Sequence, residues 1–265
     1  MVQQSGEVKF AVRTARAAGK ILRAGFGKGV RVEHKSAEID LVTEFDRRSE
    51  EFILRRIQKA FPGHRILAEE SGRRGEGDEP LWMVDPLDGT TNFAHGIPIF
   101  AVSIALWERG RVRLGVVFDP TRKECFWAER GKGAYLDGRR LRVSDTAELR
   151  SSLLVTGFPY DAWSNPDNNL DHFAHFAVRS RGVRRLGSAA LDLAYLAAGR
   201  FDGYWEMRLA PWDVAAGGLI AEEAGARVTA MDGEGPYLTE TPSLIAANPV
   251  LHGKMTAIIL GSNER

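Results

Sequence analysis

One stretch limits what this chain can fold into more than any other: Trp82 to Leu106, WMVDPLDGTTNFAHGIPIFAVSIAL. Two apolar runs, Leu81–Val84 and Phe100–Trp107, read as buried strands. Between them the chain sets Asp85 at a strand end, stiffens the backbone with Pro86, and places Asp88 three residues on. Gly89 then gives steric freedom before Thr90, Thr91 and Asn92. Two carboxylates this close repel unless a counter-charge joins them. A divalent cation is the simplest one, and hard oxygen ligands point to magnesium, manganese or calcium rather than zinc. The Gly-Thr-Thr amides suit a phosphate oxygen where a helix turn begins. An Asx-rich surface turn between strands accounts for the same residues without any chemistry.

Three further motifs carry acids. They are Asp40-Leu41-Val42-Thr43 with Asp46 beyond it, Ala68-Glu69-Glu70-Ser71, and Trp212-Asp213-Val214-Ala215-Ala216-Gly217. Together with the central stretch, in this order and spacing, they resemble the inositol monophosphatase family across nearly the whole chain. That family consists of magnesium-dependent phosphatases, with fructose-bisphosphatase-like and nucleotide-phosphatase relatives. The resemblance implies a layered αβαβα sandwich, two or three Mg²⁺ per active site, inhibition by lithium, and a homodimer.

It also implies roles for single residues. Glu69, Asp85 and the Leu87 carbonyl would hold a first metal, which binds the attacking water. Asp85 would bridge to a second metal, completed by Asp88 and Asp213, that stabilises the leaving group; Glu69 would assist a third. Thr90 would orient the water, with Asp46 accepting from its hydroxyl. The N–H groups of Gly89 and Thr90 would hold phosphate oxygens. The segment Arg184 to Ala190 resembles the lining of the sugar pocket, which assigns Arg184, Gly187, Ser188 and Ala189 to substrate. Glu206 aligns with a carboxylate that accepts from substrate hydroxyls, and Lys35 with a lysine near the metal loop.

Each residue also has a plainer reading. Asp46 lies three residues after Thr43 and would favour a helix start by charge alone. Asp213 follows Pro211-Trp212 and precedes a helix, as a capping residue does. Glu69 and Glu70 fit exposed loop acids, Glu70 being placed behind the ligands. The basic run Arg179–Arg185 also fits a solvated face. His95, with no second histidine at ligand spacing, reads as an access-loop residue.

Length and composition narrow the class. The 265 residues suffice for one large domain, taken as 1–265 with an α+β half to about 148 and an α/β half from about 149. Hydrophobic residues make up 44%, enough for a sizeable core, and the net charge of +1 gives no general pull toward nucleic acid or an anionic membrane. No apolar run is long enough to span a bilayer, the N-terminus shows no signal-peptide h-region, and its basic amphipathic stretch, superficially like a transit peptide, reads as a helix packed onto the domain. The single cysteine, Cys125, excludes an intrachain disulfide, fits a cytoplasmic location and reads as a buried structural thiol.

Periodicity predicts helices over about 6–24 and 43–60, a strand over 65–68, a mobile loop over 72–78, and strands over 112–118, 124–128 and 134–136 in an antiparallel meander. Beyond Leu149 it predicts strands at 153–156, 201–206, 227–230 and 244–247. Helices are expected at 170–180, 189–198, 215–223 and 251–260.

Magnitudes favour metal chemistry. Phosphate-monoester hydrolysis demands acceleration of up to about 10²¹, and a lone general base supplies only about 10²–10⁴. The resemblance then implies magnesium-dependent hydrolysis of inositol monophosphates and similar polyol or sugar phosphates as the expected activity. Alternatives are the same fold acting on fructose 1,6-bisphosphate, a nucleotide 3′-phosphate or histidinol phosphate, or a regulatory binding module.

Overall fold

Val8, Ala11, Ala15, Ala18 and Leu22 recur at helical spacing. All are fully buried in the computed structural model, which describes residues 4–29, 32–34 and 41–261. Lys35 and Asp40 lie outside the described residues. Ser5 caps the first helix, its hydroxyl accepting from the Val8 N–H at 3.3 Å, and α1 runs Gly6–Gly25. A short antiparallel pair, β1 (Val32–His34) and β2 (Leu41–Thr43), leads into α2 (Glu44–Ala60). Next come β3 (Arg65–Ala68), β4 (Gly72–Arg74), β5 (Leu81–Asp88), the one-turn α3 (Thr90–Ala94), β6 (Ala101–Glu108), β7 (Arg111–Asp119), β8 (Glu124–Glu129), β9 (Gly133–Leu136) and β10 (Arg139–Arg140). The second half holds β11 (Leu153–Thr156), α4 (Leu170–Ala177), β12 (Gly182–Arg184), α5 (Ala189–Ala197), β13 (Gly203–Glu206), α6 (Pro211–Glu223), β14 (Arg227–Ala230), β15 (Leu244–Ala247) and α7 (Pro249–Ile259).

Among the described residues, eight strands form one sheet in the order β10-β9-β8-β7-β6-β5-β3-β4, and five form another in the order β12-β11-β13-β15-β14. The first is antiparallel except where β3 runs parallel to β5. In the second, β11 is parallel to both β12 and β13. Strand alternation divides the larger sheet's residues between two cores. Trp82, Val84, Val102, Ile104, Leu114 and Val116 pack beneath α1 and α2. Met83, Ala105, Val117 and Phe126 face the other way, onto α5 and α6. Those two helices also meet Val155, Tyr204, Leu244 and Ala246 of the smaller sheet. Leu154, Trp205 and Ile245, on its far face, pack with Phe176 of α4 and Leu251 and Met255 of α7. The layers are therefore αβαβα, as the resemblance implied. No helix among the described residues is long and apolar enough to cross a membrane.

The structure changes four sequence expectations. The loop predicted at 72–78 begins with paired strand, Ala68 opposite Gly72 and Ile66 opposite Arg74, because Gly72 at φ +71° reverses the chain. The strand expected to end at Val84 continues to Asp88. The helix expected from Ala215 starts at Pro211, so Asp213 lies within its first turn. The helix expected to reach Ser180 stops at Ala177. Cys125 is buried, and burial pushes its thiol up to about 12.

Candidate active site

Because β3 and β5 run parallel with Ala68 opposite Val84, both strands end at the same edge of the sheet. The Glu69 N–H donates to the Val84 carbonyl at 3.2 Å, which sets Glu69 beside Asp85. Such strand ends are where α/β sheets gather their ligands. Asp85 and Asp88, three residues apart, would face opposite sides of a regular strand. The register breaks between them: Asp85 pairs with Ser103 and Asp88 with Ala101, so three steps on β5 match two on β6. This bulge returns both acids to one side. Pro86, with no N–H to donate, sits inside the irregularity.

Three of the predicted ligand carboxylates are anchored through one oxygen. Asp85 Oδ1 accepts the Leu87 N–H at 2.9 Å. Asp88 Oδ2 accepts the Ser188 hydroxyl at 2.5 Å and the Ala190 N–H at 2.8 Å. Asp213 Oδ2 accepts the Ala210 N–H at 2.7 Å, at the opening of α6. Partners of this kind fix the direction in which a carboxylate presents itself.

Asp46 does two things at once. Its Oδ2 accepts the Thr43 N–H at 2.8 Å and the Thr43 hydroxyl at 2.5 Å, which opens α2. Its Oδ1 accepts the Thr90 hydroxyl at 2.8 Å. The Leu87 carbonyl lies 3.0 Å from the same hydroxyl. The helix-start reading and the catalytic reading are thus met by one carboxyl.

These groups open on a cleft of about 680 Å³. Every residue predicted for metal or substrate lines it except Arg184, while Asp46 stands behind Thr90. Arg184 ends β12 opposite Val155, is exposed, and donates to the Val183 carbonyl at 3.3 Å. Its neighbour Arg185 lines the cleft instead. The turn beyond Arg185 is held by Asn92, whose amide donates to the Leu186 and Gly187 carbonyls at 2.8 and 3.3 Å. Gly89 has φ +98°, and a Cβ there would stand 2.9 Å from the Ile99 carbonyl oxygen, so the turn before α3 requires glycine. Glu206 accepts the Tyr204 hydroxyl at 2.9 Å, and a Cβ on Gly157 would collide with its carboxyl.

Sequence reading missed Tyr160, Arg208 and Arg185 as lining residues. Arg208 is tied to Asp161 by an ion pair. Glu70 lines a separate groove beyond Glu69, its N–H donating to Glu50 at 2.8 Å. His95 is exposed at the end of α3 and does not line the cleft.

Burial raises the acids first, and their mutual repulsion adds to it. Asp85 and Asp213 are pushed well above the usual carboxylate range, each by burial and then by the neighbouring acids. Asp46 and Asp88 are each raised to about 6, and Glu206 to about 7, against hydrogen bonds that lower them. Asp85 and Glu69 are within hydrogen-bonding reach of each other. As they stand, no three His, Cys, Asp or Glu side chains among the described residues form a ready coordination shell. In kind, however, the set fits a hard divalent ion: oxygen donors, several negative charges, and like-charge repulsion that a cation removes.

The description "Inositol monophosphatase family" matches residues 3–263. A protein of Pseudomonas aeruginosa named Nus factor SuhB is 46% identical over 91% of this chain and 91% of its own length. An inositol-1-monophosphatase of Synechocystis is 45% identical over 97% of this chain and 90% of its own. Among solved structures, an inositol monophosphatase from Anabaena superposes with a TM-score of 0.87 at 44% identity, covering 96% of this chain and 95% of that one. The match runs from end to end and takes in every acid gathered in the cleft, and the chain belongs to the inositol monophosphatase family.

Proposed function

We propose that the protein hydrolyses phosphate monoesters of small polyols, inositol monophosphates foremost, with magnesium at the acidic cluster. The observation that carries this reading is the convergence of Glu69, Asp85, Asp88 and Asp213, from two strand ends and a helix start, on one cleft that also holds Glu206. Glu69, Asp85, the Leu87 carbonyl, Asp88 and Asp213 would hold two or three Mg²⁺, which when bound neutralise phosphate charge and activate water.

The chain's own residues do the positioning. A hydroxyl has one proton, and Thr90 directs it toward Asp46 or the Leu87 carbonyl. Its lone pairs are then left to accept from an attacking water. The Gly89 and Thr90 N–H groups stand at the opening of α3, where backbone donors have no helical acceptor and suit phosphate oxygens. Glu206, 8% exposed, receives substrate hydroxyls; an analogue lacking them leaves it buried and unpaired.

Magnesium-dependent release of phosphate from inositol 1-phosphate tests the reading. Asp88→Asn and Asp213→Asn should each lower kcat/KM by about 100-fold or more, and full activity in either overturns it. A panel of kcat/KM values against fructose 1,6-bisphosphate, a nucleotide 3′-phosphate and histidinol phosphate ranks the substrates. The name borne by the Pseudomonas relative supports a second reading, service as a Nus factor, beside hydrolysis. An Asp88→Asn variant that has lost hydrolysis but retains that service in the cell would separate the two.

A further inference from the structure

Asp46, Ser49, Glu50, Ile53 and Ile57 fall on one face of α2, at the spacing that turns a helix toward a core. The two isoleucines pack into the core that holds Trp82 and Val84 of β5. The other three are polar, yet Asp46 and Ser49 are fully buried and Glu50 is 4% exposed. Buried polar side chains need partners, and each of the three finds one in a different part of the acidic cleft's frame. Asp46 accepts the Thr90 hydroxyl. Ser49 Oγ donates to the Pro86 carbonyl at 2.9 Å, and Pro86 lies between Asp85 and Asp88, where the pairing of β5 with β6 is broken. Glu50 Oε2 accepts the Glu70 N–H at 2.8 Å, one residue past Glu69.

The last two contacts fall on a bulge and on a turn, where a regular ladder does not hold the backbone. The bulge carries Asp85 and the Leu87 carbonyl, and the turn carries Glu69: the three groups assigned to the first metal. Asp88 and Asp213 are held from elsewhere, by Ser188 and Ala190 of α5 and by the Ala210 N–H. An apolar residue at position 49 or 50 would pack on the same face but would leave the Pro86 carbonyl or the Glu70 N–H without its α2 partner.

We propose that Ser49 and Glu50 are positioning residues for the first metal site. They fix the bulge and the turn from behind, so that Glu69, Asp85 and the Leu87 carbonyl face one ion together. This rests on the metal assignment made under the proposed function.

The test is calorimetric titration of Mg²⁺ into the full-length protein freed of metal, with the thermal midpoint measured beside it. Glu50→Leu, which keeps the bulk and removes the acceptor, should weaken magnesium binding about tenfold or more. Glu50→Gln, which keeps an acceptor oxygen and removes the charge, should stay within about threefold of the parent. Ser49→Ala, which deletes only the hydroxyl, should weaken binding about three- to tenfold. Ile53→Val thins the same helix face where it meets the core; it should lower the midpoint and leave magnesium binding as it was. If the Leu variant does not fold, Ser49→Ala carries the test. Unchanged binding in Glu50→Leu or in Ser49→Ala overturns the proposal. So does an equal loss in Glu50→Gln, which makes charge the cause, or in Ile53→Val, which makes helix stability the cause. Magnesium binding that Asp88→Asn and Asp213→Asn both leave unchanged defeats the metal assignment itself, and the role of Ser49 and Glu50 with it.

Discussion

Ser188 entered as a pocket residue by resemblance, yet its hydroxyl is committed to Asp88 at 2.5 Å. It also caps α5, accepting the Leu191 N–H at 3.4 Å. Removing it should act on both. Ser188→Ala is expected to weaken apparent magnesium affinity about 10–100-fold, read from magnesium titrations of activity, and to cost about 0.5–2 kcal/mol of stability from the lost cap. Ser188→Thr keeps the hydroxyl and should restore most of both; an unchanged magnesium requirement in the alanine variant would remove the hydroxyl from the site. At this scale the acids were legible in the sequence because they sit in short dense motifs. Arg185 was not, since choosing between adjacent arginines requires knowing that β12 ends at Arg184 and that the chain turns at Gly187.

Among the elements, α6 explains most of what the sequence hid. Its small residues, Ala215 to Gly218, are buried, and a Cβ added to Gly115 of β7 would stand 2.6 Å from the Ala216 carbonyl oxygen. A helix gripped on every side shows no apolar stripe, so amphipathic spacing located its middle and missed its first turn, the one that carries Asp213. The long strands β6, β7 and β8 were readable because continuous apolar runs bounded by turns admit few other readings. Three-residue strands such as β4 and β12 were not, since pairing rather than composition makes them strands. The bulge in β5 was equally silent, although Pro86 marks it. Gly115→Ala should force α6 away from the sheet. The expected cost is about 1–3 kcal/mol in denaturant melts, with a fall in kcat/KM because Asp213 moves with the helix. Loss of stability with full activity would show that the start of α6 is held independently.

For the molecule as a whole, the site sets the pH dependence of stability. Burial raises Asp46 and Asp88 to about 6 and Glu206 to about 7 in the fold, and pushes Asp85 and Asp213 well above the usual carboxylate range. Free carboxyls titrate near about 4. Between those limits the native chain binds more protons than the unfolded one, so stability is full below about 4 and falls as pH rises through 6 and 7. Chelator-treated protein should therefore lose thermal midpoint from pH 5 to pH 8, and added magnesium should recover more of it at the higher pH, where the acids already lack protons. A midpoint that rises across this range with chelator present would contradict the raised acids.

The middle layer has a further consequence. α5 and α6 come from the second half of the chain, yet they form the lid of the larger sheet, which is built from the first half. Severing the backbone near residue 148 should leave two pieces that stay insoluble apart. Produced together they should find one another, co-purify through a tag on either piece, and regain phosphatase activity, because each holds surface that only its counterpart can cover.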